Sequence, residues 1–140
     1  MNISPTGIAF IERNEGYSAH VYADAGGLSI GYGHHLLAGE SFPNGVTRDE
    51  AQALMMKDLK PIEQYLSAFH LNQNQFDALC DFGYNLGIGS LAEMLGHGLN
   101  QVPTQILRWN HVSGVVNAGL TARRQEEAAM FSLATPSNED

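Results

Sequence analysis

The hydrophobic period of the chain changes abruptly near residue 17, which restricts the possible folds to those that combine helices with a small sheet. Before that point Ile8, Phe10 and Ile11 follow helical spacing, whereas the stretch "YSAHVYADAGGLSIGYGHHLLAG" mixes aromatic and β-branched residues with repeated glycines. Glycines at this density favour sharp turns between short strands. The pattern predicts a small, strongly turned antiparallel sheet from residue 17 to about residue 39.

Helices are predicted on both sides of this sheet. Ser4 followed by Pro5 is typical of a helix start, and Gly16 can take the left-handed conformation in which helices often end. The first helix is therefore expected over residues 4–15. Thr47 and Glu50 have the capping-box spacing ahead of "AQALMMKDL", which predicts that a second helix begins there.

The rest of the chain is predicted to consist of helices with short connections. The proline in "LKPIEQYLSAF" is expected to break or kink the second helix. The segment "NQNQFDALCDFGYNLG" carries enough apolar residues around its axis for a central buried helix, and "SLAEMLGHGL" and "VPTQILRWN" follow as helical segments. In the last helix, "GLTARRQEEAAMFSL", the inward side is expected to contain Leu120, Ala128, Phe131 and Leu133.

Length and composition predict a single domain, because 140 residues of which 44% are hydrophobic can bury one core but hardly two. We expect one unit over residues 1–140, with a β lobe at about residues 16–45 and a helical lobe at about residues 46–134. Helix 4–15 is expected to belong to the helical lobe. A cleft between the two lobes is a natural site for a ligand. The sequence ends in a short polar tail, "TPSNED".

The charge balance argues against nucleic acid and anionic membranes as partners. Fifteen acidic residues against seven basic ones give a net charge of -8, which opposes non-specific binding to such surfaces. No stretch approaches the length of a membrane span, and the N-terminus lacks the pattern of a secretory leader. The lone Cys80 cannot form an intrachain disulfide and is expected to be a buried thiol.

Two ligand-binding interpretations of the glycine-rich stretch fit poorly. A phosphate-binding loop would place its glycines between a strand and a helix N-terminus, whereas these glycines continue into strand-like residues. A metal site would need His20, His34 and His35 to converge, but adjacent residues of a strand point to opposite faces. We therefore expect no metal, and we expect His34 to be buried and hydrogen-bonded to a carboxylate or a carbonyl.

A pair of carboxylates offers a third interpretation. Glu15 lies at the end of the first predicted helix, and Asp24 follows nine residues later in a polar turn. Hydrolysis of a glycosidic bond needs one protonated carboxyl that assists the leaving oxygen and one ionised carboxylate that activates water. The helix dipole and burial would raise the pKa of Glu15, and glycine amides would keep Asp24 ionised. On spacing alone, a solvated helix end and a turn-forming Asp remain the simpler alternative.

A resemblance to a known family favours the catalytic interpretation of Glu15 and Asp24, which their spacing alone does not. The segment "NEGYSAHVYADAGGLSIGYGHHL" resembles the active-site segment of the phage-type lysozymes, the endolysins of glycoside hydrolase family 24. Three later segments, "LNQNQFDALCDFGYNLGIGSL", "VPTQILRWN" and "GLTARRQEEAAMF", resemble the central, cleft and last helices of that family in the same order. The resemblance covers about residues 6–133. It implies an α+β, lysozyme-like fold with a small N-terminal antiparallel β lobe and a larger helical lobe.

The same resemblance implies roles for individual residues. Glu15 matches the family's general acid, Asp24 its second carboxylate, and Ser29 the threonine that helps to hold the attacking water. Positions that contact substrate or line the cleft are matched by His35, Tyr84, Asn85, Trp109 and Arg123. Core packing is an equally good explanation of Tyr84 and Trp109. Arg123 would neighbour the acid, where its charge lowers the pKa of Glu15 and opposes the effect of burial.

The implied reaction is inverting cleavage of the β-1,4 bond between N-acetylmuramic acid and N-acetylglucosamine in peptidoglycan, by a monomer without a cofactor. For a lysis enzyme, the resemblance implies synthesis in the host bacterial cytoplasm, release by another factor and action in the periplasm.

Two departures from the family pattern define alternatives. Ser29 stands where the family has threonine, and only "AGGL" separates it from Asp24, one residue fewer than is usual in the family. Serine is less restricted in its rotamer than threonine, and a shorter hairpin can change which face its residues occupy. A lysozyme-like module that binds glycan strands without cleaving them is therefore one alternative. A muramidase toxin delivered by a secretion system is another.

Overall fold

The computed structural model describes residues 1–133, and its first helix begins and ends where the sequence predicts. Helix α1 spans Pro5–Glu15, the Ser4 hydroxyl accepts a hydrogen bond from the Gly7 N–H, and Gly16 follows with a φ of 71°. Proline fits the first turn of a helix because the N–H groups there have no intrahelical acceptor. Asp77 secures this helix start by accepting hydrogen bonds from the backbone N–H and the hydroxyl of Ser4. Residues 134–140, which include the polar tail, lie outside the described residues.

A three-stranded antiparallel sheet follows α1. Strands β1 (Ser18–Asp24), β2 (Gly27–Gly31) and β3 (His34–His35) lie in the order β1-β2-β3. The register pairs Asp24 with Gly27, so the turn between them has only two residues. The sheet ends earlier than the predicted residue 39, because a turn closed by the bond from the Glu40 N–H to the Leu37 carbonyl carries the chain away from it.

Helix α2 spans Arg48–Leu66 and begins with the predicted capping box. The Thr47 hydroxyl accepts from the Glu50 N–H at 3.1 Å, and the Glu50 carboxylate accepts from the Thr47 N–H at 2.8 Å. The proline was expected to break or kink the helix, and the break is wrong, because the helix continues through Pro61. A proline removes one helical hydrogen bond, and burial of apolar side chains on both sides of it offsets that loss. These buried side chains are Leu59, Ile62 and Leu66.

Helix α3, Gln73–Leu95, is the central buried helix that the sequence predicts. Asn72 and Gln75 form a second capping box at its start, and every residue from Phe76 to Gly83 is buried. Gly87 interrupts the helix with a φ of 92° and a ψ of 163°. The two segments predicted separately are thus two parts of one element joined at this glycine.

The chain between α3 and the last helix contains a hairpin that the sequence analysis missed. Three short helical segments come first, at Leu99–Gln101, Val102–Gln105 (α4) and Ile106–Arg108. Strands β4 (His111–Val112) and β5 (Val115–Val116) then pair antiparallel. The two residues between them, Ser113 and Gly114, have φ values of 51° and 80°, which suits a two-residue hairpin turn. The turn dipeptide between valines in "VSGVV" is the sequence signal for this hairpin.

The last helix, α5, spans Ala118–Phe131 and buries charged residues that the sequence pattern did not predict. Arg124 and Glu127 are both 0% exposed, whereas Leu133, expected to face inward, is 57% exposed and lies beyond the helix end. The burial is possible because the charges are paired: Arg124 Nε lies 2.6 Å from Glu127 Oε1. The Arg124 guanidinium also lies over the ring of Phe82, 4.9 Å from its centroid.

One hydrophobic core joins the helices to the sheet. Residues of α1, α2, α3 and α5 pack together with Ile30 and Tyr32 of the β lobe, and Cys80 is buried among them as expected. Among residues 1–133, no helix is both long and apolar enough to cross a bilayer.

His34 ties the sheet to α2. Its ring is 3% exposed, with Nδ1 2.6 Å from Asp58 Oδ2 and Nε2 2.8 Å from Glu40 Oε1, so the expected bond to a carboxylate is confirmed. Burial of the ring lowers the pKa of His34, but the bonds to Asp58 and Glu40 outweigh burial and raise its pKa above the ordinary 6.5. The imidazolium is therefore the form that the fold stabilises.

The contacts of His34 with Asp58 and Glu40 predict that His34→Ala loses stability to an extent that depends on pH. A histidine whose pKa is raised on folding stabilises the protein below its unfolded-state pKa, and this contribution disappears as pH rises through the folded-state pKa. We expect the variant to lose about 2–3 kcal/mol of unfolding free energy near pH 6, and less near pH 8. Urea denaturation at several pH values measures this, with the exposed His97→Ala as control. A loss of unfolding free energy that grows with pH would contradict this role of His34.

Candidate active site

One face of the sheet gathers four polar side chains. Tyr22 of β1 pairs with Ser29 of β2, which pairs with His35 of β3. Directly opposed residues of antiparallel strands point to the same face, as do residues two apart on one strand. Tyr22, Asp24, Ser29 and His35 therefore lie on one face.

Asp24 and Ser29 are in direct contact. The Ser29 hydroxyl donates to Asp24 Oδ2 at 2.8 Å, and the Gly26 N–H donates to Asp24 Oδ1 at 2.9 Å. The bond from Ser29 is the largest cause that lowers the pKa of Asp24 below its ordinary value, and the Gly26 N–H adds to it. The hairpin with one residue fewer thus keeps the hydroxyl beside an ionised carboxylate.

The two adjacent histidines lie on opposite faces of the sheet. His34 points into the core toward Asp58 and Glu40, whereas His35 is exposed and places Nδ1 2.9 Å from Ser29 Oγ. The alternation expected of a strand therefore separates their roles. His34 holds the sheet to the helices, and His35 belongs to the face that carries Asp24.

Glu15 meets a buried ion pair at the end of α1. Arg123 Nη2 donates to Glu15 Oε2 at 2.8 Å, and the same guanidinium donates from Nε and Nη2 to both oxygens of Asp81, at 2.9 and 2.8 Å. Asp81 is 0% exposed and the Glu15 side chain is 18% exposed. Three helices, α1, α3 and α5, thus converge on one guanidinium.

Burial decides the protonation of Glu15. Burial is the largest cause and raises its pKa above 4.5, outweighing the charge and the hydrogen bond of Arg123, which lower it. The charge of Asp81 raises it further. The net direction, which the sequence could not settle, is upward. Because Glu15 Oε2 accepts the bond from Arg123, a proton on this carboxyl belongs on Oε1.

Gly33 makes room for that oxygen. A Cβ at this position would lie 2.8 Å from Glu15 Oε1, and Gly33 has a φ of +83°. Both the close approach and the left-handed backbone favour glycine here. Oε1 of Glu15 therefore packs against bare backbone.

Tyr22 connects the two halves of the site. Burial raises the pKa of its phenol, and the negative charges of Asp24 and of Glu15 each raise it further. Both carboxylates are therefore within electrostatic reach of one phenol.

A cavity of about 210 Å³ opens between the sheet and helices α2 and α3. Its lining comprises Gly33, His35, Leu37, Asp58, Ile62 and Tyr84. The hydroxyl of Tyr84 donates to the Tyr32 carbonyl at 2.6 Å, which fixes the ring at the cavity wall. Two of the predicted substrate contacts, His35 and Tyr84, are therefore brought together.

Asn85 and Trp109 lie in a separate cluster around Arg124. The Asn85 Oδ1 accepts from Arg124 Nη2 at 2.7 Å, and the Trp109 ring packs edge-on against Phe82 with centroids 5.8 Å apart. Neither residue lines the cavity. Packing accounts for both positions, and their contact with substrate stays a prediction.

Three residues of the site were missed by the sequence analysis. Asp81 had a signal, because a carboxylate inside the apolar segment "FDALCDFG" needs a buried cation. Tyr22 also had one, since it precedes Asp24 by two strand positions. Gly33 had no such signal, because its close approach to Glu15 is a tertiary contact that no local sequence pattern indicates.

Comparison with known proteins shows to which family the chain belongs. A family model described as phage lysozyme matches residues 12–127. The chain belongs to the phage lysozyme family. This match confirms the resemblance noted in the sequence, and it includes Glu15, Asp24, Ser29 and Arg123.

Relatives of this family are similar over most of the chain. The endolysin of Bacillus phage PZA is 34% identical over 151 residues, which cover 99% of this chain and 58% of that endolysin. The endolysin of Salmonella phage P22 is 36% identical over 145 residues, which cover 94% of this chain and 99% of the relative. The chain thus spans little more than half of the first relative and nearly all of the second.

A solved structure supports the fold. The muramidase domain of SpmX from Asticaccaulis excentricus superposes with a TM-score of 0.81 and 29% identity, covering 95% of this chain and 99% of that domain. The α+β, lysozyme-like fold, with a small antiparallel β lobe and a larger helical lobe, is confirmed.

The Arg123–Asp81 pair predicts opposite pKa shifts of Glu15 in two variants. In Arg123→Gln the cation that lowers the pKa of Glu15 is lost, so this pKa should rise further. In Asp81→Asn a negative charge that raises it is lost, so the pKa should fall. Titration of the Glu15 carboxyl carbon by NMR measures both. Shifts of the same sign in the two variants would contradict this account of the site.

Proposed function

We propose that this chain hydrolyses the glycan strands of peptidoglycan at the β-1,4 bond between N-acetylmuramic acid and N-acetylglucosamine. Its relatives are named endolysins, and a similar structure is named a muramidase domain. The observation that carries the proposal is a pair of carboxyls whose pKa values are shifted in opposite directions, Glu15 upward and Asp24 downward. Glycoside hydrolysis requires this division between a proton donor and an ionised partner.

Glu15 is the proposed acid. Its proton, on Oε1, passes to the glycosidic oxygen while the bond from that oxygen to the anomeric carbon breaks. The carboxylate left behind already accepts a hydrogen bond from Arg123. Arg123 therefore opposes protonation of the resting acid but stabilises the anion that proton transfer produces.

Asp24 is the proposed base. Each of its oxygens accepts one bond from the chain, at Gly26 and Ser29, and retains a lone pair for water. The water attacks the anomeric carbon on the face opposite the leaving oxygen and gives its proton to Asp24. This is an inverting mechanism, in which the two carboxyls stand about 6.5–9.5 Å apart to admit the water.

We propose that the glycan strand occupies the cavity at His35 and Tyr84 and continues past Arg123. Asn85 and Trp109 are the proposed contacts on the helical side, beyond the cavity. The partner is thus a polymer that lies along the molecule, and the enzyme acts as a monomer.

The proposed setting is bacterial lysis. The chain would be made in the host bacterial cytoplasm and act on peptidoglycan in the periplasm after release by another factor. The endolysin names of its phage relatives support this setting.

The reaction is tested on purified sacculi with Glu15→Gln and Asp24→Asn. Each substitution should lower the release of new reducing ends by about 10²–10⁴-fold, because each removes one half of the acid–base pair. The new reducing ends should be N-acetylmuramic acid, identified after borohydride reduction. NMR should show the α anomer forming first, since a β linkage is inverted.

Each component of the proposal has its own contradicting result. Wild-type protein that sediments with sacculi but releases no reducing ends would make the glycan-binding alternative correct. Reducing ends of N-acetylglucosamine would mean that the other bond is cleaved. An initial β anomer would mean that the mechanism is retaining.

Gly33→Ala tests the placement of the acid. The new Cβ would displace Glu15 Oε1, and a misplacement of about 1 Å can cost about 10²-fold in rate. The matched control is Gly39→Ala, because Gly39 has a φ of +85° with nothing within 4 Å of an added Cβ. Both variants carry the same backbone strain, so only Gly33→Ala should lose activity at equal stability. Equal activity in the two variants would contradict the role of Gly33.

A further inference from the structure

His35 reaches Asp24 through Ser29. The Ser29 Oγ lies 2.8 Å from Asp24 Oδ2 and 2.9 Å from His35 Nδ1. Three successive strands supply the three side chains, and the register places them on one face. Ser29 is 0% exposed, whereas His35 is exposed, so the histidine covers the hydroxyl from the solvent side.

The chemistry of the hydroxyl fixes the direction of both bonds. A serine hydroxyl carries one proton and two lone pairs, and an ionised carboxylate can only accept. Ser29 therefore donates its proton to Asp24 and accepts from His35. It follows that His35 Nδ1 carries a proton, in either the neutral or the charged ring. The alternative tautomer would draw the Ser29 proton away from Asp24.

The Ser29 hydroxyl depends on a hydrogen-bond partner for its orientation more than the hydroxyl of a β-branched residue would. Its Cβ carries only one heavy atom besides the backbone, so packing does not restrict χ1 as it does in threonine. A hydroxyl held between Asp24 and His35 has one orientation, in which its proton stays on the side of Asp24 Oδ2.

We propose that His35 is a positioning residue that orients the Ser29 hydroxyl against Asp24, and thereby holds in place the carboxylate that binds the attacking water. This inference rests on the proposed hydrolysis of glycan strands. His35 acts through Ser29 and does not itself exchange a proton with the substrate. It supplies by a hydrogen bond the orientation that a β-methyl group would supply by sterics.

A double-mutant cycle tests the inference on soluble, uncrosslinked glycan strands. His35→Ala should lower kcat about 3–10-fold, the worth of one hydrogen bond, and any rise in KM from the lost sugar contact should be the same whichever residue stands at position 29. In a Ser29→Thr background the added methyl restricts χ1, so His35→Ala should cost less than about twofold in kcat. If the threonine disturbs packing, Ser29→Ala replaces it, and His35→Ala should then leave the residual kcat unchanged.

A pair of conservative variants separates positioning from sugar contact. The amide of asparagine can donate from near the place of Nδ1, whereas the amide of glutamine reaches the place of Nε2. His35→Asn should therefore retain more kcat than His35→Gln. The reverse order, with a raised KM, would mean that His35 serves mainly as a sugar contact.

Nitrogen-15 NMR of the wild-type protein gives a readout that needs no activity. At a pH at which the ring is neutral, His35 Nδ1 should be protonated, and in Ser29→Ala the proton should move to Nε2. An unprotonated Nδ1, or an equal kcat loss in the Ser29 and Ser29→Thr backgrounds, overturns the inference. An inactive wild-type protein would instead refute the proposed hydrolysis, and the NMR result would still decide whether His35 orients Ser29.

Discussion

The guanidinium of Arg123 binds two carboxylates that lie 42 and 108 residues away in the sequence, and the arrangement of the helices around the site depends on it. Arginine suits this position because its planar fork binds Asp81 through two nitrogens and cannot lose its charge. Asp81 is 0% exposed and would be strongly destabilising without this partner. The same group then reaches Glu15, so the end of α1 is fixed relative to α3 and α5 by a contact that is also part of the proposed chemistry.

The sheet separates residues that hold the fold together from residues of the candidate site, although the two kinds are neighbours in the chain. His34 and His35 are neighbours in the chain, yet the period of two sends one ring to the carboxylates that tie the sheet to α2 and the other to Ser29. The two-residue turn after Asp24 sets the register of the first pair of strands. This short hairpin therefore delivers a carboxylate and a hydroxyl to the same face.

Local signals predicted the fold well where a local cause decides the structure. The ends of α1, the capping box of Thr47 and the glycine-punctuated sheet all follow from interactions within a few residues. The failures arose where tertiary contacts override such signals. Pro61 stays inside α2 because buried side chains continue past it, and Arg124 is buried because Glu127 neutralises it. The short β4–β5 hairpin was missed although its turn residues were visible in the sequence.

The sequence could name candidate members of the site but not the energetics of their contacts. Spacing and family resemblance named Glu15 and Asp24, and the signs of the effects on Glu15 could be written down in advance: burial raises its pKa and Arg123 lowers it. The net shift of this pKa could not be predicted in advance. The size of each effect depends on how completely the folded chain excludes water and on how Arg123 is shared between Glu15 and Asp81. In the structure burial is the larger effect. The pKa of Glu15 is therefore raised by the packing of helices distant in sequence, whereas the pKa of Asp24 is lowered locally, by a turn amide and a hydroxyl five residues away.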